Sequence, residues 1–184
     1  RISSLGPMDC PPAVIARLAA SPRLARPLHL PLQHGDDAML TAMRRPYTAS
    51  AFRDLVLGVH AAMPDAAIGT DVIVGFPGET DAAFQRTLDA VGTLPFSHVH
   101  VFPYSDRPGT EASRLGDRVP GPVIRAARRK LQALEEQSAR SARLKRQQDA
   151  LTILTHEGVF DARNLFISLR AVMETAAHAV EAAR

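Results

Sequence analysis

The chain has 184 residues, of which 46% are hydrophobic and 22% charged, and its formal net charge is +3. This composition supports a packed core and excludes a mainly disordered chain. A single cysteine, Cys10, excludes an internal disulfide framework, and one thiol cannot build a four-cysteine zinc site or ligate an iron–sulfur cluster. No apolar run approaches the ~18 residues of a transmembrane helix. We therefore expect a cytoplasmic protein that has no membrane partner.

Strands and helices are predicted to alternate over the first hundred residues. Apolar runs predict strands over residues 1–5, 28–32, 68–74 and 99–104, although Pro31 lacks the N–H that a central strand would use. Helical spacing of apolar residues predicts helices over residues 12–20, through 39–43, from Thr48 to just before Pro64, and after Thr80. This alternation implies parallel pairing through right-handed crossovers, which is an α/β architecture.

Four β/α units are too few to close a barrel of six or eight strands. We therefore expect an open sheet edge at residues 1–5 and interpret the chain as a fragment. Ligands bind at the carboxyl ends of strands in such sheets. The residues expected to converge at that rim are Ser4, Gln33, Gly75 and Tyr104.

The most informative stretch is residues 70–80, with the sequence TDVIVGFPGET. An apolar run ends in Gly75, followed by a Pro-Gly turn, which predicts a buried strand that presents backbone groups to a ligand. Glycine permits a positive φ angle or close approach to a flat ligand. Thr80 is predicted to cap the next helix, while Glu79 is expected to brace the loop and not to act as an acid or base.

The last third of the chain is expected to be basic and helical at first. A long helix is predicted from about residue 122 to 148, and residues 118–146 contain nine Lys or Arg but only two Glu. Such a segment suits a polyanion-binding surface, and an ordinary solvated helix face is the alternative. Short β-like runs follow at 151–155 and 164–169, and residues 171–184 predict an alanine-rich helix.

The loop after the fourth strand is the most discriminating part of the sequence. Residues 100–110 read HVFPYSDRPGT. Arginine can fork onto a phosphate or carboxylate, and tyrosine can stack on a base. The alternative is a rigid loop held by its two prolines and Gly109.

Together these motifs resemble one known family. The segment DVIVGFPGE at 71–79 is similar to the adenine-contacting strand of radical S-adenosylmethionine (SAM) enzymes, with Asp71 where glycine is frequent. With RISS at 1–4, LHLPLQHGDD at 28–37 and HVFPYSDRPGT at 100–110, the chain resembles the methylthiotransferase branch over residues 1–135. His34 and Asp36 depart from the serines that are usual there.

The resemblance implies an α/β fold made of the last four β/α units of a partial (β/α)6 barrel, followed by a long helix and a short, possibly incomplete β appendage. The implied domains are the barrel part (1–117), a basic helix or linker (118–148) and a truncated tail (149–184) that resembles an RNA-binding module.

The resemblance also implies the chemistry. The cofactors would be SAM and two 4Fe-4S clusters, whose cysteines lie outside this chain, so the chain alone would be inactive. The expected partners are tRNA and an electron donor, and the full-length protein is expected to be monomeric. The cofactor-binding candidates are Ser4, Gln33, Val74, Gly75 and Tyr104, the substrate-binding candidates are Arg107 and Thr110, and no catalytic or metal-binding residue is assigned.

Three functions remain open from the sequence. Arg107 and the sequence of residues 100–105 favour a tRNA methylthiotransferase that acts on N6-threonylcarbamoyladenosine. The arginine could form an ion pair with the carboxylate of that nucleoside. The alternatives are a relative that acts on isopentenyladenosine and a non-catalytic RNA-binding piece. His98 and His100 are interpreted as ordinary strand histidines. For His29 two interpretations stay open, a cavity-lining residue or an ordinary strand histidine.

Overall fold

The computed structural model describes residues 5–21 and 27–156. The chain divides into two compact units, residues 1–139 and 140–184, and the described residues of the second unit, 140–156, are helical. No helix in the described ranges is both long and apolar enough to cross a membrane.

The first unit is built on a parallel sheet of three strands. The strands are β1 (Leu28–His29), β2 (Ile68–Val74) and β3 (His98–Pro103), and β2 lies between the other two. The helices are α1 (Pro12–Ala20), α2 (Asp37–Ala42), α3 (Ala49–Ala62), α4 (Asp81–Thr93) and α5 (Gly121–His156). The parallel α/β fold predicted from the alternating pattern is confirmed.

Side-chain caps determine where three of the helices begin. Asp36, Thr48 and Thr80 precede α2, α3 and α4, and each side chain accepts a hydrogen bond from a backbone N–H in the first turn. These bonds satisfy donors that have no partner inside the helix. The helix starts predicted at Thr48 and Thr80 are therefore confirmed.

The core lies between the sheet and the helices. Along β2 the residues alternate between buried and half-buried, so one face of the strand packs inward. Val72 and Val74 of that face share one apolar cluster with Val56 of α3, Val91 of α4 and Leu131 of α5. All three helices thus cover the same side of the sheet, and the opposite side stays available for a ligand.

The second predicted strand is shorter than expected. Only Leu28 and His29 form a ladder with β2, and an isolated bridge joins Gln33 to Val72 beyond Pro31. The proline, which has no N–H, interrupts the ladder, as its position suggested. Near the start of the chain, the Leu5 N–H donates to the His29 C=O of β1 at 3.1 Å. The other residues of the first predicted strand, 1–4, lie outside the described residues.

The prediction of a strand at residues 151–155 is wrong. These residues are the end of α5, which begins at Gly121 and reaches His156. The β-branched residues of this run suggested a strand, but a helix continues through them because intrinsic β propensity is a weak, context-dependent preference. The second β-like run, 164–169, and the predicted helix at 171–184 lie outside the described residues.

Candidate functional site

A cavity of about 600 Å³ opens at the carboxyl ends of the strands. Its walls come from the turn after β1, the exposed face of β2, the end of β3 with the following loop, and the end of α2. The lining residues are Gln33, Ala42, Met43, Arg44, Arg45, Asp71, Ile73, Phe76, Phe102, Pro103, Tyr104, Ser105, Arg107, Glu111 and Ala112. A cavity of this size, with apolar walls and a few polar groups, is typical of a small-molecule site.

The strand pleat decides which residues of the informative motif face this cavity. Asp71 and Ile73 line it, whereas Val72 and Val74, which alternate with them, are fully buried on the helix side. Phe102 of β3 pairs in register with Ile73 and extends the same wall. The apolar part of the cavity floor therefore comes from two adjacent strands.

Gln33 enters the cavity from a strained turn. Its φ angle is 68°, and the His34 N–H donates to the Leu32 C=O at 2.9 Å across it, which makes a γ-turn of the rare positive-φ form. The Gln33 N–H donates to the Asp71 C=O, and its C=O accepts from the Ile73 N–H, both at 2.8 Å. Strain of this kind persists where the surroundings impose it, and it is frequent at ligand sites.

Gly75 and Val74 do not line the cavity, although Ile73 and Phe76 on either side of them do. Gly75 has a φ of 79°, and a Cβ built on it would lie 2.4 Å from Cγ1 of Ile124, so this glycine is required by the close approach of α5. The Val74 C=O accepts from the Tyr104 N–H at 2.8 Å.

The backbone groups expected to bind adenine already have partners. The Gly75 N–H donates to Oε2 of Glu79 at 2.5 Å. The loop-bracing role expected for Glu79 is thus observed. Binding of adenine by the main chain at Val74 and Gly75 stays a prediction, and it would use the second lone pair of the Val74 carbonyl.

Tyr104 and Arg107 reach the cavity from the loop after β3. The Tyr104 hydroxyl donates to Oδ1 of Asp106 at 3.3 Å, and its ring meets that of Phe76 edge-on, with 5.3 Å between centroids. Partial burial, and next the negative charge of Asp106, raise the pKa of the Tyr104 phenol above its usual value. In this geometry the phenol acts as a hydrogen-bond donor to Asp106.

Thr110 is exposed outside the cavity lining, and its hydroxyl donates to the Arg107 C=O at 2.8 Å, so it holds the turn that carries the arginine. Ser4 lies outside the described residues. The structure thus brings together Gln33, Tyr104 and Arg107 at one rim.

An ion pair that the sequence analysis did not predict lies at the cavity. Arg44, at the end of α2, pairs with Glu111 of the loop after β3. Arg44 also has a positive φ of 57°. Arg45 and Arg107 line the same cavity and form no ion pair with any described residue, so two guanidinium groups are available to an anionic ligand.

A row of polar side chains continues along the cavity-facing side of the sheet. Nε2 of His29 lies 3.0 Å from Oδ2 of Asp71, and the His29 ring is 6.1 Å from that of His100. His98 contacts His100 and, on its other nitrogen, Glu135 of α5. Within the described residues, no group of three or more such side chains has the arrangement of a metal site.

Cys10 and the arginines at 118, 125 and 128 do not line the cavity. Cys10 is buried, and burial, followed by the neighbouring charge of Asp9, raises the pKa of its thiol. Arg118, the first residue of the basic segment, pairs with Asp106. Arg125 and Arg128 are exposed in the first turns of α5, as a polyanion-binding surface or a solvated face would require.

Comparison with known proteins gives several relatives that are at least 40% identical and are named as tRNA-modifying synthases. The chain is 43% identical over 173 residues to the tRNA-2-methylthio-N(6)-dimethylallyladenosine synthase of Salinispora arenicola, covering 93% of this chain and 34% of the relative. It is 46% identical over 139 residues to the protein of the same name from Acidothermus cellulolyticus, covering 76% of this chain and 28% of the relative. The chain spans about a third of the length of the curated relatives it matches. No protein-family model matches it.

Among solved structures, the coproporphyrinogen III oxidase of Escherichia coli, a radical SAM enzyme, has the same fold. The TM-score is 0.62 at 20% identity, over 73% of this chain and 31% of that chain. The predicted partial radical SAM barrel is thereby confirmed as the fold. In sequence the chain is thus similar to about a third of these tRNA-modifying synthases, and in fold it is similar to part of a radical SAM enzyme.

Proposed function

We propose that the chain forms the cofactor-facing and substrate-facing part of a tRNA methylthiotransferase that transfers a methylthio group to C2 of N6-dimethylallyladenosine, also called isopentenyladenosine. The observation that carries this proposal is the identity of 40–46% to synthases named for that product. Identity at this level extends over 76–93% of the chain in these three relatives.

This proposal replaces the expectation of N6-threonylcarbamoyladenosine. That expectation depended on pairing between Arg107 and the carboxylate of the threonyl group. A dimethylallyl group has no charge and needs an apolar wall, which Phe102 offers. Arg107 is then available for a phosphate of the tRNA backbone, which an arginine fork binds well.

The cavity residues fit SAM. The volume of about 600 Å³ lies in the range of drug-sized ligand sites. The Asp71 carboxylate and the Gln33 amide offer polar partners for the charged amino-acid and sulfonium part, while Ile73 and Phe76 offer apolar contact to the adenine ring. The 4Fe-4S clusters that this family uses do not fit this chain, because its one cysteine is buried and clusters need several thiolates. We propose that cysteines outside this chain ligate them.

When bound, SAM would supply radical chemistry at C2 of the adenine. The residues of this chain bind and orient the reactants and exclude water from them. Tyr104, which remains protonated, holds a polar position at the rim, and the ion pair between Arg44 and Glu111 closes one side of the cavity.

Partners and location follow from the same proposal. The macromolecular substrate is tRNA, and the exposed arginines at the start of α5 are a candidate contact for its phosphates. An electron donor is needed to reduce the cluster, and the cytoplasm provides both tRNA and reducing conditions. We propose that the full-length protein is a monomer. We also propose that residues 118–148 form a basic helix or linker and that residues 149–184 form a tail that resembles an RNA-binding module.

The decisive experiment is mass analysis of tRNA nucleosides from a strain that lacks the gene. We expect the 2-methylthio form of N6-dimethylallyladenosine to disappear and its unmethylthiolated precursor to accumulate. Loss of the 2-methylthio form of N6-threonylcarbamoyladenosine instead would refute the proposed substrate and restore the first expectation. Normal amounts of both would favour a non-catalytic RNA-binding role.

Complementation with two variants of the gene tests the apolar wall. Phe102→Ala removes a half-exposed ring from the cavity, and Val123→Ala removes a side chain of similar exposure on α5, outside the cavity lining. We expect Phe102→Ala to reduce the modified nucleoside at least about tenfold if the ring contributes about 1.4 kcal/mol to binding, and Val123→Ala to restore it fully. Equal restoration by both variants would remove the support that the wall gives to the proposal.

A further inference from the structure

His34 is fully buried immediately behind the cavity, one residue after Gln33. Its Nδ1 accepts a hydrogen bond from the Asp36 N–H at 3.0 Å, and its Nε2 lies 2.9 Å from Oε1 of Glu79. A nitrogen that accepts from a backbone N–H carries no proton, so the proton of the neutral ring is on Nε2. His34 therefore donates to Glu79.

Glu79 links His34 to the loop after β2. Its side chain is 5% exposed, and its second oxygen, Oε2, accepts from the Gly75 N–H at 2.5 Å. Gly75 lies between Ile73 and Phe76, which both line the cavity. The pair of His34 and Glu79 thus joins the turn after β1 to the loop after β2, from the side opposite the ligand.

The turn that contains His34 is also held from behind. The Gly35 N–H donates to Oγ1 of Thr87 in α4 at 3.0 Å, and a Cβ on Gly35 would lie 2.6 Å from the Arg86 carbonyl oxygen. Any side chain at position 35 would therefore push the turn away from α4. These contacts leave the strained Gln33 little freedom to relax into a common conformation.

We propose that His34 is a positioning residue for SAM. It acts on the loop at Gly75 through Glu79, and on Gln33 through the peptide bond that joins the two residues. This inference rests on the proposed function, because it assumes that SAM occupies the cavity. His34 does not line the cavity, so its effect is to hold two cavity walls in register and not to touch a reactant. Preorganised partners of this kind raise affinity by lowering the ordering cost of binding.

Two isosteric variants separate the two hydrogen bonds of His34. His34→Gln places an amide N–H near the position of Nε2, so it keeps the donor to Glu79 and loses the acceptor for Asp36. His34→Asn places an oxygen near the position of Nδ1, so it keeps that acceptor and loses the donor. Each variant removes one buried hydrogen bond, which makes them matched controls for general destabilisation.

The measurements are made on the protein as its gene encodes it, with reconstituted clusters. The first is the dissociation constant of SAM from equilibrium titration, and the second is hydrogen exchange of the Gly75 amide without SAM. We expect His34→Asn to weaken SAM binding about tenfold and to accelerate exchange at Gly75, because a lost buried hydrogen bond has this size of effect. His34→Gln should stay within about threefold of the wild type in both.

Each other outcome has a distinct meaning. Equal SAM affinity in both variants and the wild type, or equal weakening in both, would overturn the positioning role while leaving the proposed function intact. A wild-type protein that does not bind SAM would overturn the proposed function and this inference with it. Should His34→Asn not fold, Glu79→Gln replaces it. His34 and Gly75 contact different oxygens of Glu79, and the substitution turns one of these acceptors into an NH2 donor, so it should weaken SAM binding about tenfold.

Discussion

The two faces of β2 illustrate how one strand separates stability from ligand binding. The helix-facing residues Ile68, Thr70, Val72 and Val74 are 0% exposed, and the polar one, Thr70, accepts a hydrogen bond from the Leu32 N–H. On the opposite face, Asp71 and Ile73 are half-buried and line the cavity. The helix-facing residues are constrained by packing, whereas the cavity-facing residues are constrained by the ligand. Substitutions on the two faces should therefore differ in kind.

The same division continues past the end of the strand. Gly75 is constrained from the helix side by Ile124, and Gln33 adopts its positive φ beside the cavity. We expect changes on the helix side to lower stability and changes on the cavity side to lower ligand affinity with little loss of stability.

The largest expected effect is at Gly75. Gly75→Ala places a Cβ on a residue with a positive φ, and this Cβ would lie 2.4 Å from Cγ1 of Ile124. We expect it to lower the free energy of unfolding by about 3 kcal/mol, the sum of left-handed strain and overpacking. Gly78→Ala is the matched control: its φ is also positive, but its Cβ would meet only Met39, at 3.9 Å, so the loss should be about 1 kcal/mol. Urea denaturation measures both, and equal losses would show that α5 does not restrict this position.

The next effect compares the two faces directly. Val72→Ala removes fully buried methyl groups and should lower stability by about 2 kcal/mol. Ile73→Ala, at the neighbouring half-buried position, should lower stability by less than about 1 kcal/mol and weaken SAM binding. The measurements are urea denaturation and SAM titration. A larger stability loss for Ile73→Ala would contradict the division between the faces.

A smaller effect concerns Asp36, which is buried behind the cavity. Burial raises the pKa of this carboxyl. Hydrogen bonds from the Met39 N–H and from Arg86, together with the charge of Arg86, lower the pKa by more than burial raises it, so the net shift is downward. A pKa that is lower in the folded state adds stability above the ordinary carboxyl pKa, and this stability is lost as pH falls through the lowered value. Asp36→Asn should therefore lower stability by about 1.5 kcal/mol at neutral pH.

The difference between Asp36→Asn and the wild type should shrink as the pH falls below about 4, where the carboxyl begins to protonate in the unfolded chain, and it should be lost below the lowered pKa of the folded state. Denaturant titrations at a series of pH values measure it. A difference that stays constant down to the acid limit would mean that the ionised carboxylate is not what stabilises the turn.

The smallest expected effect has the opposite sign. Gln33→Gly relieves a positive φ of 68° and should raise the free energy of unfolding by about 1 kcal/mol while it weakens SAM binding. Asp117→Gly is the control, because Asp117 also has a positive φ, 51°, but does not line the cavity. It should give a similar stability gain and no change in SAM affinity. Unchanged affinity in Gln33→Gly would remove Gln33 from the cofactor site.

Local patterns predicted most of the elements of this fold. The run from Ile68 to Val74, the caps at Thr48 and Thr80, and the prolines at the start of α1 act within a few residues, and the structure confirms the elements they predict. The second strand and the run at 151–155 were less well predicted, because strand formation depends on a partner ladder that the local sequence does not contain.

The candidate site was predicted in part. Gln33, Tyr104 and Arg107 follow strand ends, so a parallel sheet brings them to one rim, as expected. The pairs of His34 with Glu79 and Arg44 with Glu111 were missed, since each joins loops that are distant in the chain. The substrate preference drawn from Arg107 was not supported by the relatives, because a surface arginine can serve either a carboxylate or a phosphate.

The sequence by itself determined the order of strands and helices, the helix starts and the parallel class of the sheet, because periodicity, capping and proline act over one or two turns of chain. Only the tertiary structure decided that Gly75 packs closely against α5, that His34 is buried behind the cavity, and that Gln33 is strained. The physical reason is that these properties depend on how separate elements approach one another, and that distance is determined by packing of the whole core.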